Sequence, residues 1–148
     1  MREPIRHWTQ KNMPDLHGSY AVVTGGTSGV GFAMSAALLR HGATVIIVGK
    51  QASKGVTAAA KLRAQTGQQN VTFMGADLAD QAATKHLANR LLRMLPKLDI
   101  LINNAGVMMP AKRTLTRDGL ELMWAVNYFA GFILTIELMP LLRSEEHT

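Results

Sequence analysis

The chain has 148 residues, of which 47% are hydrophobic and 18% are charged, and it has no cysteine. This length and apolar content suit one globular domain with a sizeable core and argue against disorder. The absence of cysteine excludes thiol nucleophiles, disulfides and thiolate metal ligands. The 16 Lys and Arg outnumber the 10 Asp and Glu, but they form no basic run and only 5% of residues are aromatic. A solvated surface is therefore favoured over nucleic-acid binding.

Histidine spacing and hydropathy disfavour two further classes of protein. The five histidines form no His-x-x-His or His-Glu-x-x-His pair, so we expect no metal site. No apolar run approaches the roughly 18 residues that a membrane-spanning helix needs. Residues 1–8 also lack the hydrophobic core of a signal peptide. We therefore expect a cytoplasmic protein without a membrane span.

Short apolar runs alternate along the chain with segments of helical periodicity. Strands are predicted at residues 20–24, 44–48, 71–74 and 98–102. Helices are predicted at residues 31–41, at 53–65 up to Gly67, between an N-cap at Asp80 and Pro96, and from about 118 to 142. This alternation is typical of right-handed βαβ units. We therefore predict an α/β fold, a doubly wound parallel sheet that begins in strand order 3-2-1-4.

A glycine-rich segment, Thr24-Gly25-Gly26-Thr27-Ser28-Gly29-Val30-Gly31, follows the first predicted strand and opens the first helix. Glycines let the backbone approach a phosphate closely, and a helix N-terminus offers free N–H groups to it. The candidate cofactor-binding residues here are Gly25, Thr27, Ser28, Gly29, Val30 and Gly31. A turn without a ligand is the alternative, whereas a P-loop fits poorly because no Lys-Ser/Thr follows the last glycine.

Three further motifs follow the glycine segment in order. Asp77-Leu78 comes after the third predicted strand, Asn103-Asn104-Ala105-Gly106 ends the fourth, and Val126-Asn127-Tyr128 lies in the long helix. Together with the glycine spacing Gly-x-x-x-Gly-x-Gly, they resemble the short-chain dehydrogenase/reductase family. Residues 8–16 and 116–124 look like its branch related to retinol and protochlorophyllide reductases. The resemblance implies a Rossmann-type fold, truncated after about four strands and the long helix carrying Asn127.

The resemblance also implies roles at the cofactor site. It places Asp77, with Leu78, against the adenine, and it places Asn104, Ala105 and Gly106 along the ribose, where they also brace the sheet. Two plainer alternatives stay open: Asp77 as the cap of a turn, and the Asn-Gly segment as a strand-ending turn, since Asn and Gly favour positive φ.

Asn127 is the one candidate catalytic residue. The resemblance implies that it fixes a proton-relay water. Asparagine is unfavourable in the middle of a helix because its amide competes for backbone groups, so we predict that the helix is perturbed there, as helices often are at functional sites. An ordinary exposed asparagine is the alternative. The aromatic residues beside it, Tyr128, Phe129 and Phe132, are interpreted as core.

The end of the second predicted strand bears on the choice of cofactor. An acid at this place hydrogen-bonds the adenosine 2′-hydroxyl, whereas a base favours a 2′-phosphate. Residues 44–61 contain no acid, and Lys50 directly follows the strand. We therefore favour NADP over NAD, although lysine lacks the bidentate fork of arginine and a solvated loop charge is the alternative.

The resemblance implies an NADP(H)-dependent oxidoreductase that transfers hydride between the nicotinamide and a small carbonyl or alcohol substrate. It also implies a Ser on a later strand and a Tyr-x-x-x-Lys, whose tyrosine exchanges the proton on the substrate oxygen. These 148 residues contain no Tyr-x-x-x-Lys, and Ser144 follows the long helix too closely to be the strand-borne serine. We therefore expect the N-terminal part of an enzyme, inactive by itself. A non-catalytic nucleotide-binding or regulatory module on the same fold is the alternative, and the full-length protein is open to homo-oligomerisation.

Three segments follow from these predictions. Residues 1–18 form an N-terminal extension, residues 19–142 form an incomplete NAD(P)-binding domain, and residues 143–148 form a tail. The tail, Arg143-Ser-Glu-Glu-His-Thr148, reads like the translation of a sequencing-library adapter, so we interpret it as an artefact. A natural polar C-terminus is the alternative.

Overall fold

The computed structural model describes residues 7–108 and 110–142, so the predicted tail at 143–148 lies outside the described residues. Four parallel strands form one sheet in the order β3-β2-β1-β4, which confirms the predicted order. The strands are β1 (Tyr20–Thr24), β2 (Thr44–Gly49), β3 (Val71–Gly75) and β4 (Ile100–Ile102). After a 3-10 helix at Gln10–Asn12, the first three α-helices are α1 (Gly29–Arg40), α2 (Ala52–Thr66) and α3 (Gln81–Met94).

Two layers of helices cover the two faces of the sheet. On one face, Val23 and Ile47 pack with residues of α1 and α2 such as Leu39. On the other face, Val22 and Ile46 pack with α3 and with the C-terminal helical segment. Successive residues of β2 thus alternate between two cores, which explains why its sequence is apolar without interruption. No helix among the described residues is both long enough and apolar enough to cross a membrane.

Local signals set the ends of α2 and α3 as the sequence predicts. Gly67 follows α2 with φ of +70°, the left-handed conformation that glycine adopts most readily at a helix end. Asp80 caps α3, because its Oδ1 accepts the N–H of Ala83 at 3.1 Å. On α3, Leu87 and Leu91 are buried, whereas Met94 at the end of the helix is half exposed.

The predicted long helix at about 118–142 is wrong at its start and in its continuity. It begins at Leu122, because Asp118 and Gly119 belong to a turn in which Gly119 has φ of +76°. The Glu121 carboxylate then accepts the first free N–H groups, those of Met123 and Trp124, at 3.0 and 3.1 Å. The helical segments are α4 (Leu122–Trp124), a π turn (Ala125–Phe129), α5 (Ala130–Glu137) and α6 (Met139–Leu142).

The π turn is the perturbation that the mid-helix asparagine predicts, since Asn127 lies at its centre. The interpretation of its aromatic neighbours as core is wrong for Tyr128 and Phe132, both of which are more than half exposed. Leu134 and Leu138, which lie one helical turn apart, are fully buried against the sheet.

Strand β4 is shorter than predicted and lies at the edge of the sheet. It begins at Ile100 rather than at residue 98. Asp99 occupies the preceding position, and its carboxylate accepts the N–H of Tyr20 at 2.7 Å. A side chain here takes the hydrogen bond that a strand backbone would otherwise accept. All three residues of β4 are only half-buried.

Candidate functional site

The glycine turn joins the carboxyl end of β1 to α1 in a tight backbone path. Gly25 and Gly29 have φ of +66° and +54°, values that residues other than glycine rarely adopt. Gly25 also donates its N–H to the Val48 carbonyl at 2.9 Å, so the turn is fastened to the end of β2. A Cβ on Gly31 would lie 2.3 Å from the Gly25 oxygen. The start of α1 therefore packs directly on the turn.

The end of β4 is held to the same turn by two polar side chains. The buried hydroxyl of Thr24 accepts the N–H groups of Asn104 and Ala105 at 3.1 and 3.0 Å. In return, Asn104 Nδ2 donates to the carbonyls of Thr24 and Gly25 at 3.1 and 3.3 Å. Asn104 thus acts on the site through the backbone. The sequence analysis missed Thr24, although a threonine that ends an apolar strand is a usable signal for such a contact.

A cleft of about 310 Å³ opens at the carboxyl ends of the strands. Of the predicted cofactor-binding residues, seven line it: Gly25, Thr27, Lys50, Asp77, Leu78, Ala105 and Gly106. Five others, Ser28, Gly29, Val30, Gly31 and Asn104, do not line this cleft. The sequence analysis missed Leu122 and Val126, which close one wall of the cleft from α4 and the π turn.

Lys50 and Asp77 form an ion pair across the cleft. Lys50 Nζ lies 2.9 Å from Asp77 Oδ2. The other carboxylate oxygen, Oδ1, accepts the N–H of Ala79 at 3.0 Å, so Asp77 also closes the turn between β3 and α3. The lysine side chain is more exposed than the aspartate. Both alternatives therefore hold in part: Lys50 is a largely exposed charge, and Asp77 caps a turn.

Asn127 holds the loop that follows β4. Its Oδ1 accepts the N–H of Val107 at 2.7 Å, and its Nδ2 donates to the Val107 carbonyl at 3.0 Å. The paired contacts resemble one rung of a sheet. Because these two contacts use both the oxygen and the nitrogen of the Asn127 amide, the side chain holds the loop in position. A Cβ on Gly106 would lie 3.4 Å from Asn127 Oδ1, in ordinary contact.

A second pair of contacts fixes the loop before α4 to the start of α3. Asp118 accepts the N–H of Gln81 at 2.9 Å, and Arg117 lies 3.3 Å from the Asp80 carboxylate. The Ala83 N–H and, to a lesser extent, the Arg117 guanidinium hold the pKa of Asp80 below its ordinary value. The residues that border the cleft on this side are thereby tied to α3.

Comparison with known proteins identifies the family. A sequence profile described as short chain dehydrogenase matches residues 19–148. The chain belongs to this family. It is 39% identical over 132 residues to the human dehydrogenase/reductase SDR family member 13, and the match covers 89% of this chain and 34% of that protein. It is 37% identical over 132 residues to a polyprenol dehydrogenase of Danio rerio, with 89% of this chain and 40% of that protein covered.

Solved structures are also similar to this chain over most of its length. A Pseudomonas aeruginosa RhlG/NADP active-site complex is 34% identical, with a TM-score of 0.74 over 87% of this chain and 50% of that one. The L-sorbose reductase from Gluconobacter frateurii, complexed with NADPH and L-sorbose, is 26% identical with the same TM-score and coverage. The chain thus spans half of these structures and less than half of the two relatives above.

The glycine turn and the cleft have the features that a dinucleotide site requires. The place of a Cβ on Gly29 has no atom within 4 Å, so open space lies in front of the first N–H groups of α1. Space, free N–H donors and positive φ together are what a pyrophosphate requires. The cleft beside this space has the apolar wall and the few polar groups typical of a nucleoside site.

Proposed function

We propose that this chain forms the dinucleotide-binding part of an NADP(H)-dependent oxidoreductase, which transfers hydride between the nicotinamide and a small carbonyl or alcohol substrate. One observation carries the proposal: a single cleft joins the glycine turn to the ends of β2, β3 and β4. Ligands of doubly wound sheets bind at this edge, next to the point where the strand order reverses.

The preference for NADP rests on charge. Lys50 lines the cleft at the end of β2, and residues 44–61 offer no acid to a ribose 2′-hydroxyl. The NADP and NADPH complexes of the two structural neighbours are consistent with this preference and do not by themselves decide it. The predicted homo-oligomer and the cytoplasmic location stay predictions of the sequence.

Each part of the chain has a role in the proposed reaction. The bound cofactor supplies the hydride. Gly25 and Gly29 give the pyrophosphate access to the N-terminus of α1, and Leu78 packs beside the adenine. Asn127 acts as a positioning residue, because it holds the Val107 backbone at the end of the cleft that the nicotinamide would occupy. These 148 residues contain no Tyr-x-x-x-Lys to exchange the proton on the substrate oxygen.

The test compares the full gene product with the 148-residue chain. NADPH and NADH oxidation are followed with a panel of aldehydes and ketones. We expect turnover from the full product, with NADPH preferred, and none from the 148 residues alone. Nucleotide binding without turnover by the full product would contradict the oxidoreductase and support the regulatory module. Turnover by the 148 residues, from protein of verified mass, would require another proton donor.

The cofactor preference is tested with Lys50→Glu in the full gene product. The substitution sets a negative charge beside the 2′-phosphate, so the ratio of NADPH to NADH affinity should fall about tenfold or more. Fluorescence titration of both cofactors measures the ratio. Equal losses for the two cofactors would remove this edge of the cleft from the 2′-phosphate site.

A further inference from the structure

Helix α3 presents a basic face to the outside of the molecule. Its exposed residues share the outward side of the helix, and they include the cations Lys85, Arg90 and Arg93. The helix contains no acidic residue. Its opposite side, with Leu87 and Leu91, is buried in the core. What α3 offers to a partner is therefore positive charge and not an apolar surface.

No carboxylate neutralises this basic face within residues 7–108 and 110–142, because none of its three cations makes an ion pair there. The acids at the two ends of α3 are engaged elsewhere. Asp80 caps the helix and pairs with Arg117. Asp99 accepts the N–H of Tyr20 at 2.7 Å and pairs with Lys97 at 3.2 Å. The charge of the face is therefore available to a partner.

The position of α5 leaves the basic face free in a longer protein. α5 packs against α3, and a hydrogen bond from Asn103 to Thr135 at 3.1 Å ties α5 to the end of β4. Further strands of a doubly wound sheet that begins in the order 3-2-1-4 join at the β4 edge. α5 therefore separates α3 from any part of the gene product that adds at this edge.

Charge complementarity selects an anionic partner, and the distribution of the cations favours a lipid surface. Lys85 and Arg93 lie about 12 Å apart along the helix axis. Gln81–Met94 contains no aromatic residue, so the stacking platform typical of single-stranded nucleic-acid binding is absent from this helix. Mobile anionic headgroups require only a dense positive charge. Met94, 48% exposed beside Arg93, adds an apolar side chain that suits a membrane interface.

We propose that the basic face of α3 holds the protein against an anionic lipid surface, with Lys85, Arg90 and Arg93 as the contacts to the headgroups. The contact is peripheral, because the apolar side of α3 stays in the core and no helix among the described residues could cross a membrane. None of the three cations lines the nucleotide cleft. The inference therefore stands or fails independently of the proposed oxidoreductase and its cofactor.

The experiment measures co-sedimentation of the full gene product with vesicles. The vesicles contain phosphatidylcholine alone or phosphatidylcholine with about 30% phosphatidylserine. We expect binding to the anionic vesicles alone at about 0.1 M salt, and release at about 0.5 M salt. The triple variant Lys85→Gln, Arg90→Gln and Arg93→Gln should lower the partition coefficient about 100-fold, because each cation at an anionic surface contributes about fivefold.

The matched control removes the same charge from the helices on the opposite face of the sheet. It carries Arg40→Gln, Lys54→Gln and Lys61→Gln, all at exposed positions of α1 and α2. Its partition coefficient should stay within about threefold of that of the unsubstituted protein, since charges held away from the surface are screened. Both triple variants change exposed side chains, so their circular dichroism should match that of the unsubstituted protein.

Three results would overturn the inference. Equal losses in the two triple variants would mean that binding follows net charge and not the basic face of α3. Equal binding to neutral and anionic vesicles, or binding that resists about 0.5 M salt, would exclude an electrostatic contact. Tighter binding to a short duplex DNA than to anionic vesicles at the same salt, lost in the α3 variant, would assign the face to nucleic acid instead.

Discussion

Strands β2 and β4 are both short apolar runs, yet they support the site in different ways. β2 lies between two strands and under helices on both faces, and Val45 to Val48 are buried without exception. Among the residues that the structure describes, β4 pairs with β1 alone, and each of its residues is half-buried. The β2 side of the cleft is therefore positioned by a packed core. The opposite side is positioned by the amides of Asn104 and Asn127, which bridge between backbones.

The helical segment beside β4 also buries its apolar side chains less completely than α2 does. Four large side chains at intervals of four residues are more than half exposed: Trp124, Tyr128, Phe132 and Ile136. The rings of Trp124 and Tyr128 meet edge to face, with centroids 5.6 Å apart. On α2, the apolar residues at similar spacing, such as Ala58 and Leu62, are buried. Packing thus dominates on the β2 side of the cleft, and polar bridges dominate near β4.

Gly31→Ala should give the largest effect, because it disturbs the packed side. The new Cβ would lie 2.3 Å from the Gly25 oxygen and 2.4 Å from Asn104 Nδ2. We expect a loss of about 3 kcal/mol in unfolding free energy, measured by urea unfolding. We also expect no measurable nucleotide binding by calorimetry. Gly106→Ala on the β4 side is the control. Its Cβ would lie 3.4 Å from the nearest atom, so a comparable loss there would erase the distinction between the two sides.

Gly29→Val should separate binding from stability. The positive φ penalises any side chain by about 1–2 kcal/mol, and the valine would fill the space in front of α1. We expect nucleotide affinity to fall about 100-fold or more, with helix content by circular dichroism largely kept. Gly67→Val is the matched control, because Gly67 also has positive φ and open space around its Cβ position. Retained affinity in Gly29→Val would mean that the turn is structural only.

Asn127→Leu should loosen the β4 side without touching the core. The substitution is nearly isosteric but removes both contacts with Val107, so the loop should open locally at a cost of about 1–2 kcal/mol. Amide hydrogen exchange at Val107 should become about tenfold faster or more. Asn103→Leu is the control, since that amide donates to Thr135 and not to Val107. Unchanged exchange at Val107 in Asn127→Leu would show that the loop is held by other contacts.

Acid should weaken the tie between α3 and the loop before α4, with the smallest effect of the four. The pKa of Asp80 is lowered in the folded protein, so its contribution is present above the ordinary aspartate pKa of about 4. It is lost as the pH falls toward the lowered value. Asp80→Asn keeps an N-cap acceptor but cannot titrate. The stability difference between wild type and variant should therefore shrink on acidification, and a constant difference from pH 7 to pH 3 would contradict this reason.

Patterns that depend on near neighbours in the sequence could be predicted. Uninterrupted apolar residues predicted the buried β2, Gly67 predicted the end of α2, and Asp80 predicted the cap of α3. The perturbed helix at Asn127 also follows from local propensity, since an amide in a helix competes for backbone groups. Each of these signals lies within a few residues of the structure that it produces.

Features that depend on distant parts of the chain could not be predicted. Asp99 shortens β4 by accepting a hydrogen bond from Tyr20, 79 residues earlier. The ion pair of Lys50 with Asp77 changes what the lysine can offer a ligand, and neither residue indicates it alone. The late start of α4 has a local cause that the pattern hides, because the apolar periodicity continues across the tight turn at Gly119.

The π turn at Ala125–Phe129 has a consequence for sequence variation in this family. A π turn holds one residue more than an α-helical turn, so it is equivalent to a single-residue insertion. Deleting one residue there would therefore restore α-helical hydrogen bonding and leave the residues on either side in nearly the same register. Leu134 and Leu138 could keep their places against the sheet, whereas Asn127 would turn away from Val107. A one-residue deletion within the π turn should therefore spare the packing of Leu134 and Leu138 and remove the contact of Asn127 with Val107.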